Sequence, residues 1–518
     1  MNETIAAALS FRKNIKTKDV DLYRKLALTL RKKMISEDVN YPRYHFTAPE
    51  GWMNDPNGLI FYNGLYHLFF QYRPILFENS SADGSSFTMP NKIAWGHATS
   101  TDPFHWKDMP VAMCWGHATS TDLFHWKDMP VAMWPDAPFD IKGVCSGNSI
   151  LSPDGTPCAL YTGNANGHQE TYGVLAVAQD ERLCEWKKQV VMSEPPYEGT
   201  KTHWDAQLWK KDGIYYQLCG ARKNGAGAAN LYTSTDLKKW DFASTIYSQD
   251  IDSFWELPYL IESNGKFALF VGAQKTNPYW IGTFDYQTLT FIPDSPEPLN
   301  ADTGTYYSYN PSMIDADGRR LMFGWITGPE SPCNAVPYWQ GVQSIPREIE
   351  ILNGVLSQRP ATELDSLKYF SMELGNVQLT STPFVIKDTT NAYELRFTLE
   401  SVTSSDTVIT FKSDDVSDPT IARLIISPDG TVTFEGNTTV STKQMFDASS
   451  GASFRIFADG SVFEIYAQSG TNKYDQISRA MTARAFSSDG YPLAQIEITG
   501  SGELSLLGID KIKCIWED

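Results

Sequence analysis

Four stretches of this chain end alike. ATSTDLFHW closes at Trp126, VAQDERLCEW at Trp186, YTSTDLKKW at Trp240 and GTFDYQTLTF at Phe291, at spacings of 60, 54 and 51 residues. Each is an apolar run, then an aspartate-bearing turn, then an aromatic. Further short β-like runs such as GIYYQLCGA and KFALFVGAQ lie between them, set apart by Gly, Pro and Asp. A unit of this size with about four strands cannot bury its own apolar face, but stacked copies can, which is the sequence signature of propeller blades. Residues 44–360 then hold about five blades, with a generic β-sandwich as the competing reading.

A second repeat has a different origin. WGHATSTDPFHWKDMPVAM (Trp95 to Met113) recurs 20 residues on as WGHATSTDLFHWKDMPVAM (Trp115 to Met133), and only Pro103 and Leu123 differ. Such identity marks a recent duplication rather than a structural period. One copy belongs to the fold and the other is inserted. Leu123 keeps the apolar spacing better than Pro103, which favours the second copy as native on its C-terminal side. The extra residues are expected to extrude as a loop or edge hairpin, because doubling an internal strand would break register.

Beyond residue 365 the texture changes. Only Trp516 of the 15 Trp lies there. Alternating runs take over (AYELRFTLE, DTVITFKS, TVTFEG, SFRIFADGSVFEIYA, LAQIEIT), punctuated by Asp-Gly and Asn-Gly turns. These predict an antiparallel β-sandwich over 372–518, joined through a connector at 361–371. At the other end, 1–43 reads as a helical extension, with a surface helix over 19–36 carrying Leu22, Leu26 and Leu30 on one face. The expected fold is all-β: a five-bladed propeller over 44–360, then a sandwich.

Charge and composition exclude some functions. Lys and Arg number 43 against 61 Asp and Glu, a formal net charge of −18, which disfavours nucleic-acid and anionic-membrane partners. No apolar run reaches the length of a membrane span, and the N-terminus lacks a signal-peptide core, so a cytoplasmic protein is expected. The 7 Cys are scattered without a CxxC pair, and no HExxH, phosphate loop or dinucleotide fingerprint occurs, so neither metal nor cofactor is expected.

Three carboxylates stand in apolar or aromatic settings that desolvate them. Asp55 lies in GWMNDPNGLIFYNGLYHLFFQY, Asp205 in THWDAQLW and Glu256 in DSFWELPYLIE. A plain turn aspartate would also account for Asp55, and a buried ion pair for Glu256. Two carboxylates in an aromatic-lined cleft are what glycosidic chemistry needs, and the first strands of propeller blades can bring distant residues to one axial pocket.

At these residues the chain resembles glycoside hydrolase family 32, the invertases, sucrose hydrolases, inulinases and fructosyltransferases. WMNDPNG carries the resemblance, supported in order by YHLFFQY, WGHATSTDLFHW, CSGNSI, WDAQLW, WELPYL and GTYYSYNPSMIDADGRRLMFGWI. The resemblance implies the same propeller and sandwich. It implies Asp55 as nucleophile, Glu256 as general acid/base and Asp205 as transition-state stabiliser. It also implies a substrate-binding set of Trp52, Asn54, Gln71, Trp95, Trp115, Cys145, Ser146, Trp204, Tyr307 and Trp325. The implied activity is a retaining β-fructofuranosidase acting on sucrose or short fructo-oligosaccharides. A fructosyltransferase making kestose-type products and a catalytically weak sugar-binding protein are the alternatives, and a homodimer is an open expectation. The chain departs from the family in three places. Trp204 stands where the family has the arginine of an Arg-Asp-Pro triplet, Leu257 where it has a cysteine after the acid/base, and Pro90 where it often has a tryptophan.

Overall fold

The computed structural model describes residues 20–48, 51–73, 94–100, 107–108, 132–133, 135–327 and 339–516, apart from 167–168, 182, 184, 274–275, 388, 400–403, 415–418, 470–476 and 488–489. The architecture is a five-bladed β-propeller followed by a β-sandwich. Five antiparallel sheets form the blades, and their first strands are Gly51–Tyr62, Gly143–Leu151, Gln207–Lys211, Glu256–Ser263 and Tyr306–Ile314.

The weak repeat has a physical basis. Trp186 and Trp240 each stand at the entry to the outermost strand of a blade, Trp186–Met192 and Asp241–Gln249. Each indole Nε1 donates to the carbonyl of a leucine three residues back, Leu183 at 2.9 Å and Leu237 at 3.0 Å. Both leucines are buried with left-handed backbones, at φ 53° and 64°. In the turns, Asp236 Oδ1 accepts from the Lys238 and Lys239 amides, and Asp285 Oδ1 from that of Gln287. The aspartate thus makes an Asx turn, the leucine plugs the blade, and the aromatic latches the outer strand. Phe291 sits in the equivalent strand Thr290–Pro293 after Leu289, also left-handed at φ 52°. Trp126 lies outside the described residues.

The inner strands are stitched together by side-chain amides. Gly147 N–H donates to Asn57 Oδ1, Gln207 both donates to and accepts from the backbone of Leu260, and Asn310 Nδ2 donates to the Pro56 carbonyl. Each bond joins the first strands of two blades and satisfies backbone groups that no ladder reaches. The ring closes where Trp339–Gln340 runs parallel to Gly51 and Trp52. Closure needs glycine at 341: its φ is 88°, and a Cβ would meet the Met53 carbonyl oxygen at 1.9 Å.

In the first blade, Ala94–Ser100 of the first duplicate copy pairs with Leu65–Arg73, and Lys107–Asp108 of the same copy pairs beyond it. Ala132 and Met133, the last residues of the second copy, are fully buried beside Val144 and Tyr161. The described fold therefore draws its strand from the first copy and its C-terminal core contact from the second. The expected extruded loop lies outside the described residues.

Two six-stranded sheets form the sandwich, with Leu395, Phe411, Phe454, Phe463, Ile496 and Leu507 between them. In the strand Thr407–Ser413 buried and half-buried residues alternate, as a strand with one face on a core requires. The first sandwich strand, Lys368–Leu379, starts inside the connector expected at 361–371. The rest of that connector is a 3₁₀ turn, Thr362–Leu367, whose Leu364 and Leu367 enter a core shared by both units. Apolar residues at those two positions made it a packed joint instead of a flexible link. The N-terminal helix spans Val20–Glu37, and the side chains of Leu22, Leu26 and Leu30 lie outside the described residues. None of the described helices is long and apolar enough to cross a membrane.

A buried charge network joins the two units. Arg347, fully buried, donates to Asp302 (3.0 Å) and Gln358 (3.0 Å) of the propeller and to Glu464 (2.7 Å) and Thr482 (2.7 Å) of the sandwich. His45 bridges Asp459 (2.8 Å) and Glu464 (3.1 Å). Burial alone would raise the Glu464 pKa, but Arg347 and His45 hold it down at about 2. Removing one member of such a set strands buried charge. Arg347→Met is therefore expected to cost roughly 3–5 kcal/mol of stability, read as a lower urea midpoint of the full chain at neutral pH. An unchanged midpoint would show that the network contributes nothing net.

Candidate active site

Four inner strands leave their ladders at equivalent places. In Gly51–Tyr62 the register with the next strand slips between Met53 and Pro56, so Asn54 and Asp55 form a one-residue bulge. Pro56, lacking an N–H, cannot rejoin the ladder as a donor. The same slip occurs between Val144 and Gly147, between Glu256 and Tyr259, and between Tyr307 and Asn310. Left-handed backbones accompany two of these slips, at Leu257 (φ 48°) and Ser308 (φ 55°). Asp205 (φ 47°) stands just before the fifth inner strand. Bulges re-aim side chains, and here they aim polar groups from different blades at one place.

The polar groups meet around Asp55. Ser146 Oγ donates to Asp55 Oδ2 (2.5 Å) and accepts from Gln71 Nε2 (2.5 Å); Asn54 Nδ2 donates to Asp55 Oδ1 (3.2 Å). Burial raises the Asp55 pKa to about 6; hydrogen bonds from Ser146 and Ser308 oppose that rise, and the charge of Glu256 adds to it. Asp205 is buried, and its pKa is raised well above the carboxylate range by burial and then by Glu256 and Asp55, with Lys201 pulling it down. Its backbone N–H donates to Thr162 Oγ1 (3.1 Å), which lies 2.8 Å from His203 Nδ1. Burial lowers the His203 pKa to about 3, so that ring is neutral. Glu256 is half-buried and accepts from the Tyr307 hydroxyl (2.9 Å).

Glu256 owes its position to a missing side chain. Trp255, fully buried before it, lies against Gly227, where a Cβ would come within 2.2 Å of the indole Cδ1. The Trp255 and Trp280 rings then pack at 5.5 Å.

Of the expected binding set, Asn54, Gln71, Ser146 and Tyr307 hydrogen-bond to the carboxylates or to one another. Cys145 is buried, and the charges of Asp205 and Asp55 act on it. Trp52 meets Trp325 edge to face, with centroids 6.1 Å apart. Trp204 is buried under Lys201 and meets Phe254 edge to face at 6.1 Å. Trp95 pairs in register with Gln71, but its side chain lies outside the described residues, as does all of Trp115. Among the described residues no group of His, Cys, Asp and Glu is arranged to hold a metal ion. Sequence reasoning missed Ser308, Thr162, His203 and Lys201. Ser308 left one trace, a small polar residue inside the tyrosine-rich run GTYYSYNPSM.

The arrangement provides an ionisable carboxylate held by hydroxyl and amide donors, a second carboxylate sharing a phenol proton, and a third beside both. Such a set can attack a carbon centre, pass a proton to and from a leaving oxygen, and balance developing positive charge.

Comparison with known proteins agrees with this architecture. The profile of the Glycosyl hydrolases family 32 N-terminal domain matches residues 45–114 and again 112–360, meeting inside the duplicated segment. A fructan 6-exohydrolase of Beta vulgaris is 30% identical over 381 residues, 66% of this chain and 58% of that protein. The match to the first relatives thus spans less than two thirds of their own length. A raffinose invertase of Escherichia coli is 30% identical over 383 residues, covering 70% of this chain and 73% of its own. Among solved structures, sucrose-6-phosphate hydrolase from Lactobacillus gasseri superposes with a TM-score of 0.75 at 22% identity, covering 97% of this chain and 99% of that one. A Bombyx mori GH32 beta-fructofuranosidase in complex with sucrose gives 0.75 at 20% identity, covering 96% and 99%. With the profile spanning more than half the chain and two relatives at 30% identity, this protein belongs to glycosyl hydrolase family 32.

Proposed function

We propose that the protein hydrolyses β-fructofuranosides, sucrose or short fructo-oligosaccharides, with retention of configuration. One observation carries the reading: Asp55, Asp205 and Glu256, from three different blades, lie close enough for their charges to act on one another. The relatives' names support the substrate class.

In the first step Asp55 attacks the anomeric carbon of the fructosyl unit while Glu256 gives its proton to the glycosidic oxygen, and the bond to the leaving sugar breaks. In the second, Glu256 takes a proton from water, the water attacks the same carbon, and the bond to Asp55 breaks. Asp205 balances the oxocarbenium-like charge in both. The Tyr307 phenol holds the Glu256 carboxyl in place between its two roles. The Trp52–Trp325 pair offers an aromatic wall for a sugar ring.

Two measurements test this. Asp55→Ala is expected to lower fructose release from sucrose by roughly 10⁴-fold or more, and Glu256→Ala by roughly 10²–10⁴-fold. Wild-type turnover in either variant would sink the assignment. Product chromatography at high sucrose should show glucose equal to fructose, and kestose-type products in excess would make the protein a transferase instead.

Attack also requires ionised Asp55. Its pKa of about 6 predicts that kcat/KM falls as pH drops through about 6. Ser146→Ala removes a donor that favours the ionised form, so that acid limb should move upward by roughly one unit. A limb that stays put or moves down would show that Ser146 does not act on Asp55.

A further inference from the structure

Position 204 carries an indole and no charge of its own, yet a cation is present at the site. Lys201, three residues earlier, places its ammonium 3.1 Å from the centroid of the Trp204 ring and 5.1 Å from that of Phe254. The two rings meet edge to face and form a corner in which the half-buried lysine sits. Aromatic faces attract a cation and restrict where it can move. The corner stands beside the carboxylates: Trp204 adjoins Asp205 in the chain, and Phe254 lies two residues before Glu256. Among the described residues the ammonium makes no direct ion pair, so it acts on them as a nearby point charge.

We propose that Lys201 is a positioning residue of this site: it supplies the positive charge against which Asp205 and Glu256 are set, and Trp204 with Phe254 is the platform that keeps it there. The inference rests on the fructoside-hydrolase reading for its kinetic consequence but not for its electrostatic one.

The groups facing the ammonium come from three blades: Asp205 on its own segment, Glu256 on the next blade, and Cys145 on the preceding one. Asp205 in turn faces Glu256, Asp55, Lys201 and the Leu257 amide, and Tyr307 faces Glu256. The charge of Glu256 pushes Asp205 towards the neutral form. Lys201 opposes this at Asp205, and burial depresses the lysine's own proton affinity. A lysine that merely packed on Trp204 would leave the titration of Asp205 untouched.

The test compares wild type with Lys201→Met and Lys201→Arg in the full-length protein. Asp205 must also be ionised to balance the developing positive charge, so its ionisation adds to that of Asp55 in the acid limb, and without the cation it holds its proton to higher pH. The acid limb of kcat/KM for sucrose should therefore move upward by roughly one unit in Lys201→Met and return in Lys201→Arg. The second readout needs no activity. A carboxyl whose proton affinity is raised by folding destabilises the fold as pH rises from its unfolded to its folded value, and a variant that raises the folded value further parts from wild type only above the wild-type folded value. The gap between the melting temperatures of wild type and Lys201→Met, followed from pH 4 to pH 9, should consequently widen towards the alkaline end, and Lys201→Arg should close it. A drop that is equal from pH 4 to pH 9, or an acid limb that does not move in an active enzyme, would overturn the proposal. If the wild-type protein releases no fructose, the functional reading fails while the melting comparison still decides the role of Lys201.

Discussion

An inner propeller strand has to do two incompatible things. As a ladder member it commits its backbone to its neighbour and sends successive side chains to opposite faces. As the wall of an axial site it must send adjacent residues the same way. The structure resolves this with one-residue slips at the site end of four inner strands and a left-handed Asp205 ahead of the fifth. Left-handed backbones at residues other than glycine cost on the order of 1–3 kcal/mol each. They persist because surrounding contacts over-determine them: amides stitching strand to strand, and Trp255 wedged on Gly227. The chemistry of the site is downstream of that geometry.

The electrostatics follow from convergence. Carboxylates drawn out of water resist ionisation, and each charge makes the next harder to form. The site answers with specific donors in place of bulk solvent: two hydroxyls and an amide at Asp55, a phenol at Glu256, a peptide N–H and an ammonium at Asp205. The joint between propeller and sandwich has the same problem and the opposite solution. There Arg347 and His45 give Glu464 direct counter-charge, and the Glu464 carboxyl is held well below its ordinary range. Counter-charge is stronger where charge serves cohesion and weaker where it has to move.

Much of this was legible in the chain. Alternation located the sandwich strands, and the spaced aromatics counted the blades, because a latch made by Trp186 or Trp240 with a leucine three residues back is a local device that leaves a local signature. The three carboxylates were picked out by their apolar company, and the fold brings them within reach of one another's charge. The slips were not legible, since a bulge is defined by the partner strand and no residue type is obligatory there. Lys201 was invisible for a related reason: a lysine in EGTKTHWDAQLW reads as solvated until the fold turns Phe254 from a distant segment to face it. His45 was passed over because its partners Asp459 and Glu464 are more than 400 residues away.

Ring closure at Gly51 and Trp52 places the seam of the propeller on the strand that carries Asp55, a few residues ahead of it. The seam is a short parallel pairing at Trp339–Gln340, and parallel ladders are slightly less stable per residue than antiparallel ones. A fluctuation that parts it frees the end of that strand two residues ahead of Asn54, whose carbonyl accepts from Gln343 just beyond the seam. Opening the ring and loosening the surroundings of Asp55 are therefore coupled, so inactivation by heat would run ahead of the loss of sheet structure.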